Sequence, residues 1–185
     1  NILTGHIEGG EVSGTVDELI RHAVSKMSHI HFVSTNEART RLIQLGEAER
    51  SIFVIGSPDV DVMKSSSLPS IDTVRNYYEF PFKKYGILLF HPVTSETKDL
   101  QAHIKCVVDE VIESGLNYIV IYPNNDTGTD IIFNEYKRLE ENINFKFYPS
   151  MRFEYFLSLL KNAEVVVGNS SAGVREAPHY GVPAV

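Results

Sequence analysis

The chain is poor in cysteine, in net basic charge and in long apolar runs, and each shortage excludes a class of protein. Cys106 is its single cysteine, so neither a disulfide framework nor a thiolate metal cluster can be assembled within it. That fits a reducing, cytoplasmic setting. No apolar run approaches the roughly 20 residues that span a bilayer, which argues against a membrane partner. With 17 basic against 24 acidic residues the net charge is −7, which argues against nucleic acid or any other extended polyanion. A local phosphate site stays compatible with that charge, because backbone amides bind phosphate without excess lysine. Internal repeats and low-complexity tracts are also missing.

What is present is a 185-residue chain, 43% hydrophobic, enough for one full core and part of another. Asn1-Ile2-Leu3 reads as the tail of something earlier, and Gly181 to Val185 stops as a strand begins. The expectation is a fragment truncated at both ends. Apolar runs at 30–33, 52–55, 85–90, 118–122, 145–148 and 165–167 read as strands. Helical patterns at about 35–45, 71–78, 97–114, 130–141, 153–161 and 173–179 alternate with them, which is the signature of parallel α/β. Thr35 is placed to cap one helix and Gly46 to stop it. Gly56-Ser57-Pro58-Asp59-Val60-Asp61 cannot continue a central strand, and a serine-rich stretch follows, so a domain boundary is placed near residue 58.

The stretch GHIEGGEVSGTVDELIRH, Gly5 to His22, gathers four carboxylates, two histidines and an arginine around a glycine-rich turn. It leads into a helix opening with Asp17 and Glu18, with Arg21 on the same face. Carboxylates at such a junction can hold or move protons. A capping box, Thr15 with Glu18, accounts equally well for the helix start, but it leaves Glu8 and the glycines unexplained. His29 and His31 flank Ile30 on one strand face. Two histidines without a third suitably spaced ligand read as packing, and no metal is expected.

Three polar segments follow strand ends: His91-Pro92-Val93-Thr94, Pro123-Asn124-Asn125-Asp126-Thr127-Gly128, and Gly168-Asn169-Ser170-Ser171-Ala172-Gly173. In open α/β sheets that edge is where ligands bind. The last segment exposes backbone N–H groups and two hydroxyls at a helix start, a ready anion site, and Glu176 can accept from two sugar hydroxyls. Simple N-capping is the competing reading. His91 can serve phosphate or act as acid or base, or be structural. Asn124 and Asp126 can contact ligand or cap a helix.

HIEGGEVSGTVDELIRH resembles the hydrolysing UDP-N-acetylglucosamine 2-epimerases of sialic-acid and legionaminic-acid biosynthesis. Non-hydrolysing relatives read closer to HxEAGLRT with a downstream EExNR, so the EVSGT wording points to the hydrolysing branch. HPVT, PNNDTG and GNSSAGVRE extend the resemblance along the chain, and a G-x-P-x-x-D hinge matches the segment at residue 56. The resemblance implies two Rossmann-like domains with parallel sheets facing across a cleft, GT-B-like. Residues 1–57 would be the later part of the first domain and 58–185 most of the second, UDP-binding one. It implies Glu8 and Asp17 as acid and base, in an order left open, with Arg21 orienting them. His91, Ser170 and Ser171 would hold the leaving diphosphate and Glu176 the ribose, with Asn124 and Asp126 contributing. No cofactor is implied, since no hydride moves, and the enzyme would be a homo-oligomer acting on a UDP-sugar. Essential residues would lie upstream, so the piece alone is expected to be inactive. Three alternatives stand beside this reading: the same chemistry on UDP-2,4-diacetamido-2,4,6-trideoxy-glucose, a GT-B glycosyltransferase using a UDP-sugar, or a non-catalytic nucleotide-binding module.

Overall fold

The computed structural model describes residues 2–13, 16–93 and 99–185, and its packing forms two compact units, Asn1–Lys64 and Ser65–Val185. In the first unit, β1 (Gly5–Ile7), β2 (Ile30–Val33) and β3 (Ile52–Val54) make a parallel sheet in that order. Parallel neighbours need crossovers, supplied by α1 (Val16–Lys26) and α2 (Asn36–Gln44). Thr35 caps α2 by accepting the Ala38 N–H at 3.1 Å. Ala38 and Leu42 then turn inward onto Val33 and Ile52, the buried core of this unit. After β3 comes α3 (Pro58–Met63), with proline in its first turn, where the missing N–H costs nothing.

β1 is a departure from the sequence expectation, which treated Gly5 to Gly10 as loop. Only the last three residues of that stretch are loop. Gly5–Ile7 is held as a strand by the β2 ladder, and a Cβ on Gly5 would stand 3.3 Å from the edge of the Phe32 ring. The Thr15 cap falls outside the described residues; Glu18 Oε2 accepts the Ser13 N–H at 2.9 Å. His29 Nδ1 bonds Thr4 Oγ1 at 2.9 Å. His31 is fully buried, its Nε2 lying 3.3 Å from Glu47 Oε2, while Lys26 Nζ sits 2.7 Å from the other oxygen.

Gly10 decides where the turn after β1 rests. Its φ is +78°, and a Cβ there would collide with the Ala38 carbonyl of α2. Arg41 Nη1 donates to Gly10 O at 3.0 Å, closing the contact. Gly10→Ala is therefore expected to cost about 1–2 kcal/mol for the left-handed backbone alone, with the collision added. A thermal melt of the variant beside wild type measures it.

The second unit runs α4 (Ile71–Tyr78), β4 (Gly86–Leu89), α5 (Leu100–Glu113), β5 (Tyr118–Ile121), α6 (Thr129–Tyr136), β6 (Phe145–Tyr148), α7 (Phe153–Lys161), β7 (Val165–Val167), α8 (Ala172–Arg175) and α9 (Ala177–Tyr180). All four strands are parallel, in the order β6-β5-β4-β7. β4 and β5 are buried along their whole length, as strands covered on both faces must be. Ile87, Leu89, Ile119 and Ile121 pack with Val74 of α4, Leu159 and Leu160 of α7 and Ala177 of α9. Leu88, Val120 and Tyr118 pack on the other face with Leu100, Ile104, Val108 and Val111 of α5 and Ile132 of α6. The period of two in the strands thus splits one apolar run between two cores.

Two helices differ from expectation. α6 ends at Tyr136 rather than near Glu141. The single helix expected over 173–179 is broken at Glu176 into two four-residue turns, because Pro178 has no N–H to continue the ladder. The closing residues run alongside β7, with Ala184 bridged to Val166. No helix among the described residues is long and apolar enough to cross a membrane.

Candidate active site

In the second unit the chain builds outward from β4: β5 and β6 lie on one side and β7 on the other. Ligand crevices of open α/β sheets form at such a reversal, beyond the carboxyl ends of the strands. Here a cavity of about 390 Å³ opens at that place, lined by His91, Asn124 and Ser170 together with Pro149, Met151 and Phe153. Three residues singled out from separate strand ends, 33 and 46 positions apart in sequence, share one wall because parallel strands deliver their ends to one edge.

His91 follows β4 and is half-buried; burial holds its imidazole below the usual 6.5, with the Asp126 charge pulling weakly the other way. Its Nδ1 accepts the Asn124 N–H at 3.3 Å. Asn124 in turn donates from its side chain to Asp126 Oδ2 at 2.6 Å, and Thr129 Oγ1 donates to both Asn124 O and Asp126 O. The capping reading of this segment does not hold among these bonds, since the N-cap of α6 is Gly128 and no side chain caps it. Asn124 reaches the cavity, while Asp126 braces Asn124 within the loop ahead of α6. Ser170 lines the cavity and its Oγ accepts the Ala172 N–H at 3.3 Å. Ser171 is exposed and makes no side-chain cap. Glu176 sits between α8 and α9, with Oε2 buried. Since α8 is a single turn, little macrodipole accumulates at its start.

The segment Pro149 to Phe153 was missed, although it follows β6 at the same edge and the strand-end rule applied equally to it. Tyr78 of α4 clamps it at both ends. Tyr148 Oη, its phenol pushed up to about 12 by burial, donates to Tyr78 O at 2.6 Å. The Arg152 N–H donates to Tyr78 Oη at 3.0 Å. The Arg152 guanidinium lies 5.3 Å over the Tyr77 ring, a cation–π contact.

The first unit holds the other candidates. Glu8 is the first residue past β1, with φ +61°, a backbone that side-chain-bearing residues rarely adopt. Its N–H donates to Phe32 O at 2.8 Å and its Oε1 accepts from Ser57 Oγ at 3.1 Å. Asp17 is exposed in the first turn of α1. Arg21 Nη1 donates to Glu11 O and Ser13 Oγ, both at 3.2 Å, so it ties α1 to the loop ahead of it. On β1, His6 has its Nδ1 bonded to Ser25 Oγ at 2.9 Å. Burial lowers the His6 pKa, and the charges of His31 and Arg21 add to the effect.

These shifts set an acid response. His6 and His91 lie below 6.5 when folded, so between that value and their folded pKa the unfolded chain binds more protons. Their contribution is whole above pH 6.5 and declines as pH falls below it. Glu47, held below 4.5 first by its hydrogen bond to Lys26, adds stability present above pH 4.5 and lost as pH falls through its folded pKa. Melting temperatures are expected to be flat from pH 8 to 7 and to fall in two stages on acidification. His6→Gln and His91→Gln together should remove most of the first.

The whole chain, residues 1–185, matches the family model described as UDP-N-acetylglucosamine 2-epimerase. The chain belongs to this family. It is 54% identical over 183 residues to the UDP-N-acetylglucosamine 2-epimerase of Neisseria meningitidis serogroup B, covering 99% of this chain and 48% of that protein. It is 36% identical over 186 residues to the UDP-N,N'-diacetylbacillosamine 2-epimerase (hydrolyzing) of Legionella pneumophila, covering 100% of this chain and 49% of that one. The crystal structure of the Methanocaldococcus jannaschii UDP-GlcNAc 2-epimerase in complex with UDP-GlcNAc and UDP superposes with a TM-score of 0.72 at 25% identity, over 97% of this chain and 52% of that one. The chain spans about half the length of the curated relatives it matches. The α/β build with parallel sheets is thus the fold of the UDP-N-acetylglucosamine 2-epimerase family, and the cavity beyond β4 and β7 belongs to an epimerase-family fold.

Proposed function

We propose that the protein to which this chain belongs is a hydrolysing UDP-N-acetylglucosamine 2-epimerase. The observation that carries this reading is the cavity at the strand reversal, with His91, Asn124 and Ser170 on its wall, in a chain 54% identical to a UDP-N-acetylglucosamine 2-epimerase. The M. jannaschii relative binds UDP-GlcNAc and UDP. The hydrolysing branch is supported by the HIEGGEVSGTVDELIRH wording and by the L. pneumophila enzyme's name.

In this reading the UDP-sugar loses its C2 proton to a carboxylate while the C1–O bond to UDP breaks, leaving a glycal. Water then adds OH at C1, and a proton returns to the opposite face of C2, so the sum is N-acetylmannosamine plus UDP. Glu8 and Asp17 do the proton work, with Arg21 setting their loop. His91, neutral at pH 7 because it is buried, donates to the departing diphosphate with Ser170 and Ser171. Glu176 receives the ribose hydroxyls, and Asn124, held by Asp126, borders the sugar side. Residues 1–57 serve as the later part of the first domain and 58–185 as most of the second. The enzyme is a cytoplasmic homo-oligomer.

A second substrate is favoured by one specific finding, the 36% identity to a diacetylbacillosamine epimerase: UDP-2,4-diacetamido-2,4,6-trideoxy-glucose. The test is product analysis on the full-length protein with each UDP-sugar. Free UDP with a free manno sugar supports the proposal. A UDP-linked epimer moves the protein to the non-hydrolysing branch, and turnover only with an acceptor makes it a transferase.

A further inference from the structure

We propose that Asn169 is a positioning residue for His91. The proposal rests on the reading of His91 above for its link to turnover, but the geometry stands independently. Asn169 follows β7 and His91 follows β4, adjacent parallel strands. The approach between them is unusually close, since a Cβ on Gly168, at φ +131°, would collide with the Leu89 carbonyl of β4. That closeness puts the Asn169 amide against the main chain of His91. The His91 N–H donates to Asn169 Oδ1 at 2.8 Å, and Asn169 Nδ2 donates to His91 O at 2.8 Å. Both backbone groups of His91 are thereby satisfied by one planar side chain, just where the β4 ladder has ended. The residue cannot rotate about φ or ψ without breaking two hydrogen bonds.

The consequence reaches the ring. With the main chain of His91 pinned from the β7 side, its Nδ1 meets the Asn124 N–H from the β5 side at 3.3 Å. A donor aimed at Nδ1 requires a lone pair there, so the proton of the neutral ring resides on Nε2. The ring is then a donor through Nε2, which is what a departing phosphate oxygen needs. Asp126 of the β5–α6 loop bears on the ring electrostatically, and His103 of α5 lines the hollow that Asn169 borders. Asparagine is suited to the task because only an amide offers both an acceptor and a donor in one plane. Aspartate has the shape but would set a carboxylate oxygen against the His91 carbonyl.

The test uses the full-length enzyme, with histidine ring nitrogens followed by NMR through a pH titration and kcat and KM measured beside it. In wild type His91 should be a single Nε2–H tautomer titrating below 6.5. In Asn169→Ala the ring should become a mixture of tautomers with its midpoint returning toward 6.5. Its kcat should fall about tenfold, the scale of one to two neutral hydrogen bonds, with KM within about threefold. Asn169→Asp, isosteric at an exposed position, keeps the acceptor, loses the donor and adds charge, so the His91 midpoint should rise above that of wild type even if the alanine variant is poorly folded. An unchanged tautomer and midpoint in both variants overturns the proposal. Altered tautomer and midpoint with unchanged turnover upholds Asn169 as the positioner and removes His91 from the reaction instead.

Discussion

Glu8→Gln in the full-length enzyme is expected to lower turnover at least a hundredfold, about the lower end of what a positioned general acid or base contributes. The substitution suits the question because it leaves the surroundings in place. The glutamine amide oxygen can accept the same hydrogen bond from Ser57 that Glu8 Oε1 now accepts at 3.1 Å. The backbone bond from N–H to Phe32 O is independent of the side chain. The left-handed φ of +61° costs both side chains alike, so the melting temperature should stay within a degree or two of wild type. What glutamine cannot do is carry a proton to or from C2. UDP affinity, measured by calorimetry, should change less than threefold, since diphosphate recognition is assigned to residues of the other unit. Solvent deuterium at C2 of the product should appear in wild type and be slowed in the variant in step with turnover. Turnover near wild type would take Glu8 out of the mechanism and leave Asp17 as the carboxylate to test.

The second large effect is expected at Ser170 and Ser171. Hydrogen bonds to a charged group are worth about 1.5–3 kcal/mol, which is roughly ten- to a hundredfold in affinity at about 1.4 kcal/mol per decade. Because α8 spans only four residues, the helix dipole adds little and the hydroxyls bear more of the load. Backbone amides survive in either single variant, so each Ser→Ala change is expected near tenfold in UDP affinity and the pair near a hundredfold. UMP should lose less than UDP, since the serines are assigned to the distal phosphate. Stability separates the two residues. Ser170 Oγ accepts the Ala172 N–H, so Ser170→Ala should also cost up to about 1 kcal/mol, as loss of a cap does. Ser171 makes no such bond, and Ser171→Ala should melt like wild type. Unchanged UDP affinity with a lowered melting temperature would make these serines shapers of the turn.

The boundaries of β2, β6, α4 and α7 were legible because short apolar runs and periodic helices there are bounded by Gly, Pro or polar residues. β1 was not, since Gly-His-Ile carries a single large apolar residue and owes its strand form to the neighbouring ladder. The clamp on Pro149 to Phe153 was equally hidden. Its anchor, Tyr78, lies 70 and 74 positions away from the groups it holds, and no local pattern links a tyrosine on one helix to a loop after a distant strand. In the sequence Asn169 stands within a run of small residues that reads as an anion loop. Its bonds to His91 cross 78 positions and follow from which strand lies beside which.

Sequence by itself determined that strands and helices alternate, that the polar segments follow strand ends, and that the motifs resemble one enzyme family. Those are properties of local period and of residue type, and a period of two or of 3.6 is written in neighbouring positions. The tertiary structure alone decided that β7 lies on the opposite side of β4 from β5. That His91, Asn124 and Ser170 share one sheet edge follows from the parallel alternation already legible in sequence; the strand order adds that they line one cavity there. Strand order is fixed by how each crossover packs its apolar face against the growing sheet, a competition among buried surfaces distant in sequence, and no stretch of the chain records its outcome.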